Sequence, residues 1–336
     1  MRLRLTAAAG ALLMLASGPA LATTLESVKA EGVLKCGVNS GLPGFGEEKD
    51  GDWSGFDIDY CRAIAAAVFG DPAKVKFVPT TASDRFQALQ SGAIDVLTRN
   101  TTWTMARDTT LSLAFAGVNY YDGQGFMVRK SLGITSALEL TKATICVQLG
   151  TTTELNLADY FKANKMQYTT VAKEKVEDAT ADYAADRCMA YTADATALYG
   201  LRLAMANPSD HIVLPQVISK EPLGPTVRQG DEQWLNIVKW THFALINAEE
   251  YGITSTNVDE MRESTNSAVR RILGVEGEFG KALGLSNDWA YHAIKEVGNY
   301  GEIFDRNLGS GSPLGIARGL NALWTAGGLQ YAPPIR

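Results

Sequence analysis

Histidine is scarce in this 336-residue chain: His211, His242 and His292 stand far apart. None forms an HxxH or HExxH pair, which excludes a zinc centre built on paired histidines. Four cysteines, Cys36, Cys61, Cys146 and Cys188, are widely spaced and include no CxxC. That spacing excludes a zinc ribbon and a thioredoxin-type dithiol. GxSxG, P-loop and similar catalytic signatures are missing too. No metal or cofactor is therefore expected. Beyond residue 22, no segment has the roughly 20 uninterrupted apolar residues that span a bilayer. What remains is ordinary globular composition, 46% hydrophobic and 20% charged, far from disordered, collagen-like or coiled-coil chains. At about 150 residues per domain, the length suggests two units.

The first 22 residues read as a targeting segment. Arg2 and Arg4 make a basic start, and Leu5 to Leu15 is almost wholly apolar. That stretch is too short for a transmembrane helix but suits a signal-peptide core. Ser17, Gly18 and Pro19 break it, and Ala20-Leu21-Ala22 fits a small-x-small cleavage site. A cut after Ala22 leaves 29 basic against 37 acidic residues, a formal charge of −8. Such an acidic exported protein has no electrostatic footing for nucleic acid.

Export also favours disulfides among an even number of cysteines. Spacing alone leaves three pairings open. Alternation places Leu34, Cys36 and Val38 on one face of a strand, and Cys61, Ile64, Ala65 and Val68 form a helical stripe. A helix packing that stripe onto the strand would bring Cys36 to Cys61. Cys146, on a strand Ala143–Val147, and Cys188, on a strand Arg187–Thr192, would form the other bridge.

Two stretches share one grammar. The first reads strand (Val33–Val38), helix (Phe56–Phe69), strand (Val75–Val78), helix from a Ser83 cap to Gln90, strand (Ile94–Leu97). The second reads strand (Ala143–Val147), helix (Thr152–Lys162), strand (Gln167–Val171), helix (near Val176–Ala184), strand (Arg187–Thr192). A helix (Ala195–Ala204) and a strand (Ile212–Leu214) come next. Alternation of this kind predicts parallel, doubly wound sheets, hence two α/β lobes. Two extended stretches, Tyr120–Arg129 and Leu223–Arg228, suit a double crossover that acts as a hinge. The expected division is residues 23–121 plus 225–336 for lobe 1 and 122–224 for lobe 2. The region after Asp231 reads as mostly helical, with a helix at Arg262–Leu273. The part after about Gly252 is expected to cover the first lobe's sheet.

Ligands of doubly wound sheets sit at the carboxyl ends of strands. After Ile94–Leu97, Thr104 can cap a helix whose first turn holds Arg107. A cation there opposes the helix dipole, which a bidentate grip on a carboxylate would explain. An ion pair with Asp108 is the structural alternative. After Ala143–Val147, Thr151 and Glu154 fit a capping box, and amides at a helix start bind carboxylates. After the Cys188 strand comes Asp194, a helix cap or an acceptor for an ammonium. An arginine fork, a helix start and a carboxylate together suit a free α-amino acid, and no nucleophile–base pair accompanies them.

These features resemble the polar amino-acid family of periplasmic solute-binding proteins, family 3. The likeness runs along nearly all of the mature chain. Gly32–Val38 is similar to the family's opening strand, and Gly55-Phe56-Asp57-Ile58-Asp59 to its G-F-D-x-D signature, with Tyr60 departing from the usual aliphatic. Thr102–Arg107 matches T-x-T-x-x-R, with Met105-Ala106 where Pro-Glu is common, and Gly150-Thr151-Thr152 matches G-T-T. Within the family, the runs Cys61-Arg62-Ala63, Thr102-Trp103-Thr104 and Arg187-Cys188-Met189-Ala190-Tyr191 resemble the general L-amino-acid-binding proteins of ABC importers.

The resemblance implies a two-lobed binding-protein fold of type II, joined by a two-strand hinge and closing on a free L-amino acid. It implies that Arg107 clamps the ligand carboxylate, helped by amides at Thr102 and Thr152. Asp194 would take the ammonium with the Thr102 hydroxyl and the Asn100 carbonyl. Arg85 would meet a side-chain carboxylate, and Asn39 and Leu42 join it as candidates for selectivity. Phe45, Trp53 or neither would stack on the ligand. The implied protein is a periplasmic, non-enzymatic monomer that serves the membrane subunits of an ABC permease, taking a broad range of polar or acidic amino acids. Two alternatives use the same scaffold. One is a periplasmic hydro-lyase similar to cyclohexadienyl dehydratase, with Asp57, Asp59 or Asp194 as its acid or base. The other is a sensing module for a receptor.

Overall fold

The computed structural model describes residues 23–336. The expected leader over residues 1–22, with its cut after Ala22, lies outside the described residues. Two five-stranded sheets, each flanked by helices, form two lobes. The first sheet has the order Val75–Pro79, Leu34–Val38, Val96–Leu97, Thr226–Arg228, Leu113–Phe115. The second has the order Tyr168–Lys173, Ala143–Gln148, Ala190–Asp194, Gln124–Arg129, His211–Val213. The first three strands of each are parallel, as strand–helix alternation predicts.

The sheets are not wholly parallel, which corrects the simple doubly wound expectation. Thr226–Arg228 and Gln124–Arg129 each run antiparallel to both neighbours. Each of these strands enters directly from the other lobe, with no crossover helix to turn it parallel. Between the lobes, Tyr120–Asp122 and Glu221–Leu223 pair as a two-stranded antiparallel ribbon. The return crossing is therefore earlier and shorter than Leu223–Arg228, because Thr226–Arg228 already belongs to the first lobe's sheet.

Local chemistry accounts for most elements. Leu34, Cys36 and Val38 are buried on one strand face, opposite Cys61, Ile64 and Ala65 of helix Phe56–Phe69. Disulfides join Cys36 to Cys61 and Cys146 to Cys188, the expected pairs. Cys188 precedes its strand, which runs Ala190–Asp194 rather than from Arg187. Asp186 is left-handed, and Arg187 Nε donates to Asp182 at 2.7 Å, holding that approach as a turn. The strand expected at Ile94–Leu97 is only Val96–Leu97. Ser83 is no helix cap: the helix starts at Arg85, and Ser83 Oγ donates instead to Glu174 in the other lobe, 2.7 Å away. The loop carrying Phe45 is a small antiparallel meander, Gly41–Leu42, Gly46–Lys49 and Asp52–Ser54. Gly55 closes it at φ 132°, where a Cβ would lie 2.2 Å from the Phe45 carbonyl oxygen, so only glycine fits.

The region beyond Gly252 covers helices rather than the sheet. Its helix Trp289–Val297 lies along Phe56–Phe69. The helix expected at Arg262–Leu273 is shorter, Ser267–Ile272, because Asn266 caps its start, and a separate short helix, Val258–Met261, precedes it. Arg306 Nε and Asn307 Nδ2 each donate to Asp59 at 2.7 Å. Asn321 accepts from the Tyr121 amide at 2.7 Å and donates to its carbonyl at 3.1 Å. Gln330 reaches the Val118 and Asn119 carbonyls at 3.3 Å. The region thus braces the segment that enters the hinge.

His242, on helix Glu232–Glu250, packs against this brace near Tyr300. Its Nδ1 faces the Tyr60 hydroxyl at 3.0 Å, and burial lowers its pKa from 6.5 to about 4, against a Val118 backbone hydrogen bond that raises it. Between those values the unfolded chain binds the proton and the folded one does not, so acid favours unfolding. This stability is whole above pH 6.5 and lost as pH falls toward 4, amounting to about 3 kcal/mol. Asp57 and Asp122 oppose it, since burial raises them to about 7 and about 6. The comparison is therefore with His242→Phe. Denaturant unfolding across pH 6.5 to 4 should lose more stability in the wild type than in the variant, and parallel profiles would refute the assignment.

Candidate functional site

The cleft between the lobes gathers residues from both strand-end clusters. It is lined by Asn39, Arg85, Asn100 and Thr102 from the first lobe and by Thr151, Thr152 and Asp194 from the second. These are seven of the eight residues anticipated from sequence. The eighth, Arg107, lies one layer behind: its Nη1 donates to the Thr102 carbonyl at 2.8 Å. Thr104 caps its helix by accepting from the Arg107 amide at 3.3 Å. The alternative pair with Asp108 does not form among the described ion pairs.

Thr151 caps helix Thr152–Ala163 by accepting from the Glu154 amide, 3.3 Å away. Asp194 ends its strand beside helix Ala195–Leu203, and its side chain makes no capping bond. Its carboxylate is therefore free of the structural task that sequence left open. Burial pushes its pKa well up, with Asp122 and Glu221 adding to the rise, while Arg85 and Arg107 oppose it.

Three guanidinium groups crowd the first lobe's side: Arg85, Arg99 and Arg107, each 2–7% exposed. Arg85 and Arg107 lie over the same Phe86 ring, 4.7 and 5.0 Å from its centroid. Arg85 Nη1 donates to the Arg99 carbonyl and Thr101 Oγ1 at 3.3 Å each, and Arg99 Nε to the Thr80 carbonyl at 2.8 Å. None of the three forms an ion pair among the described residues. Burial lowers the pKa of all three, and for Arg85 the charges of Arg107 and Arg99 add to the fall. Buried like charges without counter-ions are costly, so this cluster is built for an anion. Arg85 Nε, Asn39 Nδ2 and Asn100 Oδ1 are buried here without partners, whereas buried polar groups normally have one.

Asp57, one of the hydro-lyase candidates, has another task. Its Oδ2 accepts from the Asn100 amide at 2.7 Å and holds Asn100 in a left-handed turn, φ 32°, a conformation that asparagine tolerates better than most residues. Asp59 anchors Arg62, Arg306 and Asn307, far from the cleft lining. Phe45 is in the core, packed edge-on against Phe56 and Tyr120, and Trp53 lies against Phe77. Neither aromatic lines the cleft.

Two functional candidates escaped the sequence reading. Arg99 directly precedes Asn100, and a strand-end position was its only signal. Glu221 lies in the returning hinge strand, 1% exposed, and accepts hydrogen bonds from Thr102, Thr152, Asn156 and Ser219. Nothing in Lys220-Glu221-Pro222 marks it beyond an acid beside a crossover.

The lobes meet closely. Thr102 Oγ1 and Thr152 Oγ1 are 3.3 Å apart. A Cβ on Gly200 would lie 2.6 Å from the Pro43 carbonyl oxygen, and one on Gly150 would lie 2.9 Å from Ser83 Oγ. The cleft volume is about 40 Å³, so a free amino acid enters only when the lobes part. A larger groove of about 1120 Å³ runs along the seam between Ser40–Lys49 and the second lobe. No buried unpartnered polar atom belongs to its walls, which favours the cleft as the specific site. Among the described residues, no group of three His, Cys, Asp or Glu is placed to hold a metal, and no helix is long and apolar enough to cross a membrane.

Comparison with known proteins agrees with this architecture. The chain is 62% identical, over 99% of its length and 98% of the relative's, to the general L-amino acid-binding periplasmic protein AapJ of Rhizobium johnstonii. It is 56% identical, over 97% of both chains, to the glutamate/glutamine/aspartate/asparagine-binding protein BztA of Rhodobacter capsulatus. An ABC transporter/periplasmic binding protein from Brucella ovis, solved with glutathione bound, superposes with a TM-score of 0.92 at 63% identity, covering 94% of this chain and all of that one. Residues 34–257 match the bacterial extracellular solute-binding proteins, family 3. The chain belongs to that family.

Proposed function

We propose that this protein captures free L-amino acids, polar or acidic ones above all, between its lobes and delivers them to the membrane subunits of an ABC permease. The carrying observation is the buried, unpaired arginine cluster: Arg85 and Arg99 line a cleft that also holds buried Asp194, and Arg107 lies one layer behind them. A zwitterion answers both ends: its carboxylate for the guanidinium side, its ammonium for Asp194. Arg107 clamps the α-carboxylate with the amides of Thr102 and Thr152. Asp194 receives the ammonium with the Thr102 hydroxyl and the Asn100 carbonyl. Arg85, with Asn39 beside it, meets a side-chain carboxylate or amide, and Thr151 sets the helix start. Two relatives whose names specify amino-acid binding support this ligand class.

The lobes divide as residues 23–121 plus 225–336 and residues 122–224, a division supported by the two sheets and the ribbon between them. A ligand that touches both lobes shifts the equilibrium toward the closed form by its differential affinity. The protein works as a monomer in the periplasm after loss of residues 1–22.

A thermal-shift screen over the common free L-amino acids tests the reading. Ligand at about 100 times its dissociation constant adds about 2.7 kcal/mol to stability, so several polar or acidic amino acids should raise the melting temperature clearly. A flat response across the panel would reject the proposal. Glutathione belongs in that panel, because the Brucella ovis structure has it bound and its γ-glutamyl group carries the same α-amino acid head.

A further inference from the structure

Four donors fill Glu221 as an acceptor. Thr102 Oγ1 of the first lobe donates to its Oε2 at 2.6 Å, and Thr152 Oγ1 of the second lobe donates to the same oxygen at 2.9 Å. Asn156 Nδ2 donates to Oε1 at 2.6 Å. Ser219 Oγ, which accepts from the Gln124 amide at 3.3 Å, spends its proton on Oε1 at 2.6 Å. An ionised carboxylate has about four such acceptor positions on two oxygens, so these donors use its capacity.

A hydroxyl carries one proton. Thr102 and Thr152 both line the cleft, whereas Glu221 lies behind them. With both protons drawn back to Glu221, each threonine faces the cleft with lone pairs alone. Two acceptors beside Asp194 suit N–H donors and disfavour a carboxylate oxygen. The anionic end of a ligand is then left to the guanidinium side and to the backbone amides, not to these hydroxyls.

Building on the amino-acid reading above, we infer that Glu221 is the positioning residue that sets the cleft's polarity, drawing off the Thr102 and Thr152 protons so that both hydroxyls accept from the ligand's ammonium. Its place in the hinge strand lets it reach threonines of both lobes, so this polarity is completed as the lobes close.

Glu221→Gln tests it, because the isosteric amide donates through nitrogen. The amide nitrogen is favoured in the Oε2 place, where two hydroxyls can turn to accept, because the Oε1 place faces the Asn156 amide nitrogen, a donor. At least one threonine then turns its proton into the cleft. The probes are the tightest-binding amino acid of the panel and its 2-hydroxy counterpart, L-2-hydroxyglutarate in the case of L-glutamate. A hydroxyl can donate or accept and so tolerates the reversal. Titration calorimetry, with competition for the weaker probe, should show the amino acid losing affinity about tenfold or more. The hydroxy acid should change by less than about threefold. Asn156→Ala, outside the cleft lining, loosens Glu221 and should give the same pattern at smaller size, which serves if Glu221→Gln does not fold. Unchanged amino-acid affinity, or an equal loss for both probes, overturns the inference. A wild-type protein that binds no amino acid overturns the parent reading as well, and is told apart because the wild type itself fails.

Discussion

Replacing Arg107 by alanine should weaken amino-acid binding about 100-fold or more while leaving the fold intact. A charge-assisted pair to a carboxylate in a desolvated cleft accounts for a loss of about 3 kcal/mol. Circular dichroism should be unchanged. The unliganded melting temperature should hold within a few degrees, because removing Arg107 also relieves Arg85 of a neighbouring charge on the same Phe86 ring. Function and stability then part company at one residue, as expected where a site stores unfavourable electrostatics. Arg107→Lys keeps the charge without the planar fork, and about a tenfold loss is expected. Calorimetry that finds wild-type affinity in a folded Arg107→Ala protein removes Arg107 from the site. The arginine's present hydrogen bond is to the Thr102 carbonyl, behind the cleft lining, so the proposed grip on ligand calls for the guanidinium to turn.

The second large effect concerns the disulfides. Cys36–Cys61 and Cys146–Cys188 bridge sequence separations of 25 and 42 residues. Chain-entropy arguments give about 3.5 and about 4 kcal/mol for loops of those lengths. Full reduction should lower the melting temperature by on the order of 10 °C for each lobe. The lobes should differ in consequence. Cys188 lies just before strand Ala190–Asp194, so the Cys146→Ala/Cys188→Ala protein should lose ligand affinity as well as stability. The Cys36→Ala/Cys61→Ala protein removes a staple beneath Thr98, whose hydroxyl donates to the Asp57 carbonyl at 3.0 Å. A thiol titration that finds four free cysteines before reduction, together with an unchanged melt after it, would rule both bridges out.

How far the sequence reached is clearest residue by residue. Alternation at Leu34, Cys36 and Val38 and the stripe through Cys61 implied a buried contact, and the bridge is its consequence. The loops and helix starts that succeed the strands located Thr102, Thr152 and Asp194, because parallel strands deliver their ends to one edge. Legibility stopped where local pattern carries no sign of tertiary direction. The choice among Phe45, Trp53 or neither as a ligand stacker stays open in the sequence, since an aromatic in a glycine-rich loop has the same signature whether it points to the cleft or to the core. Asp57 was legible as a motif residue but not as the holder of Asn100, 43 residues away. Glu221 had no periodicity around it. Its meaning arises only when the hinge ribbon brings it beside threonines 119 and 69 residues away.

The glycines at the seam separate two properties that are usually discussed together. Gly200 and Gly150 touch the opposite lobe and do not line the cleft, and the space for even one methyl group is lacking. A thickness of matter there sets how often the clamp is shut, and apparent affinity scales with that fraction for every ligand alike. A wedge of about 1.4 kcal/mol would weaken all of them tenfold and leave their ranking untouched. The seam is therefore a place where affinity for every ligand is retuned together, apart from Arg85 and Asn39, the residues proposed to meet the ligand's side chain.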